Sequence, residues 1–208
     1  MRFRQQGSGA ETPQEIARLI DQNWEQAKIY LYSGFIALWF EYTQQPKLAH
    51  TAKTILSHHK NEQDIGLEEF VQKLNPQIGQ PKLRTNHTDI KFGKLDVKTK
   101  KIVRFEIVND ARGFLYGTIK LAKGIAGLQV SSTNIRGDTI ASVKLDTNLL
   151  TSNKTHQTTL VIDTNGGKEK VEIPSDLAGV EYIPLDPNDN WKQKLVREME
   201  EARIFVKK

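Results

Sequence analysis

The stretch N-W-E-Q-A-K-I-Y-L-Y-S-G-F-I-A-L-W-F-E-Y, residues Asn23 to Tyr42, decides how the N-terminal part of the chain folds. It contains two of the three tryptophans, Trp24 and Trp39, and no charged residue between Ile29 and Phe40. That uncharged run is shorter than the roughly 20 residues that a membrane-spanning helix needs, and charged residues flank it. We therefore interpret the stretch as a buried helix and expect no membrane segment.

A helix start precedes this stretch. Thr12 suits the N-cap position, Pro13 the first helical position and Glu15 the third, which is the spacing of a capping box. Apolar residues then recur every three or four positions, which predicts a helix running from Pro13 through the stretch to Tyr42. Gly34 either permits a close helix crossing or divides this element into two helices.

Two further helices are predicted, one after Pro46 and one over Gly66 to Leu74. Together they indicate a bundle of three or four helices over residues 12 to 76, closed by Asn75-Pro76. A bundle of that size has a thin core. We therefore expect the β region of the same chain to cover the aromatic stretch, with a second subunit or a partner protein as alternatives.

From Gln80-Pro81 onwards the apolar period changes from 3.6 to 2. Val103, Phe105 and Ile107 alternate with charged residues, as in a strand with one buried face. Asn165-Gly166-Gly167 between two such runs predicts a hairpin. Counting Leu83 to Phe92 as the first, the sequence predicts seven strands over residues 81 to 180, an immunoglobulin-like antiparallel β-sandwich, and hence an α+β chain.

The two ends of the chain suggest accessory segments. Residues 1 to 11, which include Gly-Ser-Gly, are typical of a flexible leader, and the abrupt start suggests a piece of a longer protein. Residues 181 to 208 are interpreted as a C-terminal extension. A helix is predicted over Asp189 to Arg203, with Trp191 on the face that packs against the folded body.

Two groups of residues resemble known modules. The first has the pattern W-x-x-A-x-x-x-L-x-x-G-x-I-x-x-W-F followed by L-A-x-x-A, and it is similar to a helical module found beside Hsp70-like ATPases or serine/threonine kinases in bacterial multidomain proteins. The second resembles immunoglobulin-like repeats whose first strand carries a signature similar to D-F-G. The first group comprises Trp24, Ala27, Leu31, Gly34, Ile36, Trp39-Phe40, Leu48-Ala49 and Ala52; the second comprises Ile90 to Gly93, Asn109, Arg112-Gly113, Leu145-Asp146-Thr147 and Asn165-Gly166-Gly167.

The resemblance covers residues 12 to 174 and implies an accessory, non-catalytic region. It assigns no catalytic, cofactor or metal residue. The partner implied is a protein, or an ATPase or kinase domain attached outside this chain. We expect contacts through an open strand edge or the apolar helical face, and we single out Tyr32, Trp39 and Trp191 for the helical contacts.

The excess of positive charge in the β region suggests nucleic-acid binding as an alternative function. Residues 81 to 180 carry 16 basic and 10 acidic residues, which could favour nucleic acid. The candidate basic surface contains Lys100, Lys101 and Arg112, and a nucleic-acid edge would add Lys98, Lys168 and Lys170. Exposed aromatics interleaved with the lysines, as single-strand binders use, are not evident. Protein binding is therefore favoured, and nucleic-acid binding stays as the second hypothesis.

An enzyme is the third hypothesis and has little support. Asp146 and Asp163 fall near strand ends and could converge, but aspartates there more often cap turns. The pair His58-His59 cannot readily share a metal, because adjacent helical residues point about 100° apart. The chain has no cysteine, which is compatible with the cytoplasm. We predict a non-enzymatic protein without cofactors.

Overall fold

The computed structural model describes residues 12–92, 98–150 and 156–173, which form five helices followed by eight strands. The predictions on residues 1 to 11 and 181 to 208, with Trp191, lie outside these ranges. The helices, here called the helical bundle, are α1 (Pro13–Gln22), α2 (Trp24–Tyr32), α3 (Phe35–Tyr42), α4 (Pro46–His58) and α5 (Gln63–Leu74). The strands, here called the β module, are β1 (Leu83–Thr85), β2 (Lys100–Asn109), β3 (Tyr116–Leu121), β4 (Leu128–Val130), β5 (Asn134–Arg136), β6 (Thr139–Asp146), β7 (Thr158–Thr164) and β8 (Gly167–Ile173).

The predicted start of α1 is confirmed. The Glu15 backbone N–H donates to Thr12 Oγ1 at 3.3 Å, and the Thr12 N–H donates to Glu15 Oε2 at 3.1 Å. Both bonds of the capping box therefore satisfy amides that the helix itself leaves unpaired.

The predicted continuation of the helix through Asn23 is wrong, whereas the division into two helices at Gly34, one of the two alternatives left open, is confirmed. At Asn23 the backbone leaves the helical region, and the Asn23 side-chain amide donates to Leu19 O at 2.9 Å, a local bond that competes with helix continuation. At Gly34 the backbone is left-handed, with φ of 80°, which glycine adopts without steric cost. The bundle consequently has five helices rather than three or four.

The five helices enclose one apolar core. Its largest members include Phe40 from α3 and Phe70 from α5, whose rings meet edge to face with centroids 6.3 Å apart. Ile16 and Ile20 of α1 and Leu31 of α2 are also fully buried in it. The amphipathic pattern of α1 thus faces the inside of the bundle, as its spacing predicts.

The β module consists of two four-stranded antiparallel sheets, with the strand orders β1-β2-β6-β4 and β5-β3-β7-β8. The α+β prediction and the hairpin between β7 and β8 are confirmed. The count of seven strands is wrong, since β5 was missed: its three residues bury only Ile135, too little for an alternating pattern. The predicted first strand also stops at Thr85 instead of Phe92.

The two sheets face each other across a single core. Phe105 and Ile107 of β2 point inwards from the first sheet, and Ile119 and Ile162 point inwards from the second. Arg104 and Glu106 lie on the outer face, so the alternation predicted for this strand is confirmed. These inward residues form one continuous cluster of buried side chains.

The edges of both sheets are mostly short or covered among the described strands. β1, β4 and β5 have three residues each. The outer edge of β8 is crossed by residues 83–90: the Leu83 N–H donates to Gly166 O at 3.0 Å, and the Ile90 N–H donates to Glu172 O at 2.8 Å. β1 pairs only with Ile107–Asn109 of β2, so the stretch Lys100–Phe105 has no partner strand on that side among the described residues.

None of the helices in residues 12–92, 98–150 and 156–173 combines the length and the apolar character needed to cross a lipid bilayer.

Candidate protein-interaction surface

Helix α3, of sequence F-I-A-L-W-F-E-Y, is apolar on two opposite sides. Ile36, Ala37 and Phe40 are buried in the bundle. Phe35, Leu38 and Tyr42 lie on the other side at the spacing i, i+3 and i+7, with 49%, 61% and 79% of their surface exposed. Ile29 of α2 is likewise 60% exposed. We call Ile29, Phe35, Leu38 and Tyr42 the apolar face.

The turn between α2 and α3 supports this face. The rings of Tyr30 and Phe35 lie on either side of the turn, with centroids 5.3 Å apart. A β-carbon at Gly34 would meet no atom within 4 Å, so the turn is open to its surroundings. The charge nearest to Tyr42 in sequence, Glu41, is paired with Lys53. The face therefore carries no uncompensated charge of its own.

The size of the apolar face is in the range of patches that have a binding role. From the area of aromatic and aliphatic side chains and their exposed fractions, it presents roughly 400 Å² of apolar surface. That is on the order of the largest apolar patch of a typical monomeric protein, and such patches often have a binding role. A helix that is apolar all round is normally buried on all sides.

The expectation that the β module covers the aromatic stretch is wrong. The contacts between the bundle and the β module involve α1, α5 and the α4–α5 turn instead: Arg112 binds Asp21 and Glu68, and Arg136 pairs with Glu62. The reason is chemical, because those elements offer carboxylates to arginines of the β module, whereas the one carboxylate of α3, Glu41, is paired with Lys53 of α4.

Trp39 and Tyr32, two of the predicted contact residues, face mainly inwards. Trp39 is half-buried and packs edge to face on Phe40, with ring centroids 5.0 Å apart. The Tyr32 hydroxyl is buried against Gly66, between α2 and α5. Burial, followed by the nearby charges of Asp64 and Glu69, raises the pKa of Tyr32 to about 12. Tyr32 thus belongs to the interior of the bundle.

Arg112, predicted for a basic surface, binds the bundle of its own chain. Its Nη1 and Nη2 donate to Glu68 Oε1 and Oε2 at 2.8 and 2.9 Å, and its Nε donates to Asp21 Oδ1 at 2.8 Å. Glu68 is only 2% exposed. Burial lowers the pKa of Arg112, but the bonds to Asp21 and Glu68 more than offset this, so the pKa is raised overall. We call this cluster the Arg112 joint.

The loop that carries Arg112 is shaped to approach α5 closely. The Asn109 side-chain amide donates to Arg112 O and Gly113 O at 3.1 and 2.8 Å, and the Phe114 N–H donates to Glu68 Oε2 at 3.0 Å. Gly113 has a φ of 79°, and a β-carbon there would overlap the Glu68 carboxylate. Only glycine fits this position without displacement.

The lysines proposed for a nucleic-acid edge do not share one. Lys100 and Lys101 begin β2, at the end of the first sheet away from the bundle, whereas Lys168 and Lys170 lie in β8 of the second sheet. Lys100 pairs with Asp146 at 3.2 Å and Lys168 with Asp163 at 2.7 Å, while Lys101 donates to Phe92 O. These positive charges are dispersed and largely engaged within the chain.

The carboxylates proposed for catalysis are also separate. Asp146 ends β6 in the first sheet and caps the 3₁₀ turn Thr147–Leu149, where its Oδ1 accepts from the Asn148 N–H at 3.1 Å. Asp163 lies in β7 of the second sheet. The hydrogen bond from the Asn148 side chain and the other contacts lower the pKa of Asp146. Within the part of the chain that is described, no three metal-ligating side chains come together.

Of the two carboxylates that bind Arg112, Glu68 and Asp21, only Glu68 has a signal in the sequence, and we missed it. Glu68 lies three positions after Ile65 and three before Val71, so it places a carboxylate on the apolar stripe of α5. A charged residue in that position predicts a buried partner. Asp21 follows Ile20 on α1 and showed no comparable signal.

No protein-family model matches the sequence, and no curated protein is similar to it. Solved structures with partial likeness include the Bacteroides ovatus GH5 xyloglucanase, with 11% identity over 45% of this chain, 18% of that chain and a TM-score of 0.32. The ASH/PapD-like domain 7 of human CEP192 has 10% identity over 46% of this chain, 86% of that domain and a TM-score of 0.37. A protein of unknown function from Porphyromonas gingivalis W83 has 17% identity over 46% of this chain, 47% of that chain and a TM-score of 0.36.

The chain spans about a fifth of the length of the xyloglucanase and about half of that of the Porphyromonas protein. Likenesses of this size carry no argument about activity.

Proposed function

We propose that this chain is a non-enzymatic protein-interaction region of a larger bacterial, cytoplasmic multidomain protein, and that its apolar face binds an amphipathic helix of a partner protein. The observation that carries the proposal is the exposure of Phe35, Leu38 and Tyr42 on a helix whose opposite side is fully buried.

A helix is the partner that suits this face. Phe35 and Tyr42 are seven residues apart, so the stripe is about 10 Å long at ~1.5 Å per residue. Two turns of a partner helix with apolar residues at i, i+3, i+4 and i+7 match that length. The absence of uncompensated charge on the face also favours an apolar stripe over a charged peptide.

The other binding mode considered, addition of a strand, has less support. A partner strand needs a row of unpaired backbone groups. The edges β1, β4 and β5 offer three residues each, and residues 83–90 cross the edge of β8. The open stretch of β2 carries Lys100, Lys101 and Arg104, and charged side chains at an edge disfavour pairing with another strand. The helical surface is therefore the better candidate.

The strand order supports an immunoglobulin-like interpretation of the β module. The order β1-β2-β6-β4 corresponds to strands A-B-E-D of that arrangement, and β3-β7-β8 corresponds to C-F-G, with β5 as an added strand beside β3. This correspondence agrees with the resemblance to accessory modules of bacterial Hsp70-like ATPases or kinases. The attached catalytic domain would then lie outside this chain.

The proposal is tested with a defined probe, a synthetic amphipathic helix of leucine and lysine with leucines at i, i+3, i+4 and i+7. Titration into the isotope-labelled chain should shift the amide resonances of α2 and α3. The variant Phe35→Ser/Leu38→Ser should bind at least about tenfold more weakly. Complete burial of such a side chain is worth roughly 1.5–3 kcal/mol, about half of each remains to be buried on binding, and about 1.4 kcal/mol is a factor of ten. Ile140→Ser is the matched control, since Ile140 is an exposed apolar residue of β6.

Three results would contradict the proposal. The first is a set of shifts centred on the β module, and the second is equal binding by the double variant and the control. The third is self-association of the unliganded chain that Leu38→Ser abolishes, because the face would then be occupied by a second copy. Binding of random-sequence nucleic acid with a steep salt dependence would support the nucleic-acid alternative instead.

A further inference from the structure

The segment that connects the bundle to the β module has no regular secondary structure. It therefore does not fix the orientation of the two by itself. Residues 75–82 contain Pro76 and Pro81, and Gly79 has a φ of 93°. Domains joined by such a segment move relative to each other unless their interface prevents it. The orientation must therefore be held by contacts outside the connecting segment.

The Arg112 joint supplies most of those contacts, and the exposed Arg136–Glu62 pair adds one. Glu68 accepts from both terminal nitrogens of Arg112, from the Phe114 N–H and from the Gln72 side-chain amide. Arg112 also donates from Nη1 to Gly79 O at 3.1 Å. One guanidinium group thus connects α1, α5, the connecting segment and the loop after β2.

We infer that the Arg112 joint makes the helical bundle and the β module a single rigid body, so that the apolar face keeps a fixed direction relative to the sheets. A small rotation of the β module would separate the Arg112 guanidinium group from the Glu68 carboxylate, which is almost wholly buried. An unpaired buried charge is strongly disfavoured. Intermediate orientations are therefore excluded, and the modules are either docked or fully separated.

Gly113 adds a steric requirement to the electrostatic one. Its α-carbon lies against the Glu68 carboxylate, and any β-carbon there would push the loop away from α5. The docked arrangement thus depends on a charged contact and on close backbone approach at the same place. This inference concerns the geometry of the chain and holds whether or not the apolar face binds the proposed partner.

The test is ¹⁵N relaxation of the 208-residue chain, which gives a tumbling time for the amides of α1–α5 and another for those of β2, β3, β6 and β7. In the wild-type chain the two times should be equal. In Arg112→Ala both times should fall, and that of the smaller helical bundle should fall further than that of the β module, as for modules that tumble independently. Arg84→Ala is the matched control, because it removes an exposed Arg84–Asp110 pair within the β module.

A second pair of variants protects the test against simple unfolding. Gly113→Ala should separate the tumbling times as Arg112→Ala does, while Gly124→Ala should not, since a β-carbon at Gly124 meets nothing within 4 Å. Dispersed amide resonances show that both modules remain folded. If Arg112→Ala unfolds, Arg112→Lys, which keeps the charge and loses the fork, replaces it. Unequal times in the wild type, or equal times in the folded variants, would overturn the inference.

Discussion

Glu68 and Arg112 form a two-bonded pair across the junction, with Nη1···Oε1 and Nη2···Oε2 distances of 2.8 and 2.9 Å, although they are 44 positions apart in the chain. Glu68 is 2% exposed and the Arg112 side chain 16%. The two parallel bonds make a bidentate salt bridge, which is the strongest form of side-chain ion pair.

This pair predicts a non-additive effect on stability. Arg112→Met alone should lower the free energy of unfolding by about 3–5 kcal/mol, because it leaves the Glu68 carboxylate buried without compensation. Glu68→Leu alone should cost less, because Arg112 keeps its bond to Asp21. The double variant should cost less than the sum of the two, since it removes both charges. Urea unfolding of the four proteins measures the coupling. Additive effects would contradict the interpretation that the pair is mutually dependent.

Tyr32 predicts a loss of stability at alkaline pH. Its pKa is about 12 in the folded chain against an ordinary value of 10.0. Below pH 10 the hydroxyl is protonated in both states, so its contribution is fully present. Between pH 10 and pH 12 the unfolded chain loses the proton first, and the free energy of unfolding falls as the pH rises.

The measurement is the pH dependence of urea unfolding for the wild type and Tyr32→Phe. The wild type should lose stability more steeply from pH 10 to pH 12, and the difference in tyrosinate absorbance between the two folded proteins should have a midpoint near pH 12. Parallel stability curves would show that Tyr32 is not the group responsible.

Gly66 predicts a packing constraint between α2, α5 and the turn after α4. A β-carbon at Gly66 would overlap Tyr32 Oη and would lie 2.6 Å from His59 Cβ. Gly66→Ala should therefore lower the free energy of unfolding by about 1–3 kcal/mol, even though alanine is the better helix former. The midpoint of urea unfolding is the readout. Gly124→Ala is the control, and a stabilising effect of Gly66→Ala would disprove the close packing.

Substitutions on the two sides of α3 should change the free energy of unfolding by very different amounts. Phe40→Ala should cost about 3–5 kcal/mol, because it opens a cavity in the bundle core. Leu38→Ser should change stability by no more than about 0.5 kcal/mol, because its side chain is 61% exposed. Thermal unfolding of the two variants distinguishes the sides. A large cost for Leu38→Ser would mean that the apolar face is covered within the chain.

The sequence predicts the class of each half better than the bounds of its elements. The capping residues predict the start of α1, and the period of two in the apolar residues predicts the alternation of β2. Both features depend only on residues that are neighbours in sequence. The break at Asn23 was missed, since it depends on a side-chain bond to Leu19 O that competes with an otherwise continuous apolar pattern. Gly34 was recognised as a possible break, because glycine tolerates left-handed backbone.

The interaction surface and the joint were only partly predictable. The composition of α3 shows that it is apolar, but which of its sides remains open is decided by how α2, α4 and α5 pack against it. Glu68 carries a visible signal on α5, whereas its pairing with Arg112 depends on the folding of a distant loop. A single sequence contains no direct information on such a contact between modules.

The joint also has a consequence for the order of events during folding. The helical bundle joins elements that are near each other in sequence, whereas β2 pairs with β6 and β3 with β7 across long separations. Local contacts form faster than distant ones, so the bundle should assemble first, with the Glu68 carboxylate still hydrated. The charge is then buried in the last step, when the loop after β2 arrives. In stopped-flow experiments Glu68→Gln should accelerate unfolding and leave the refolding rate nearly unchanged, and slower refolding would show that the joint forms early.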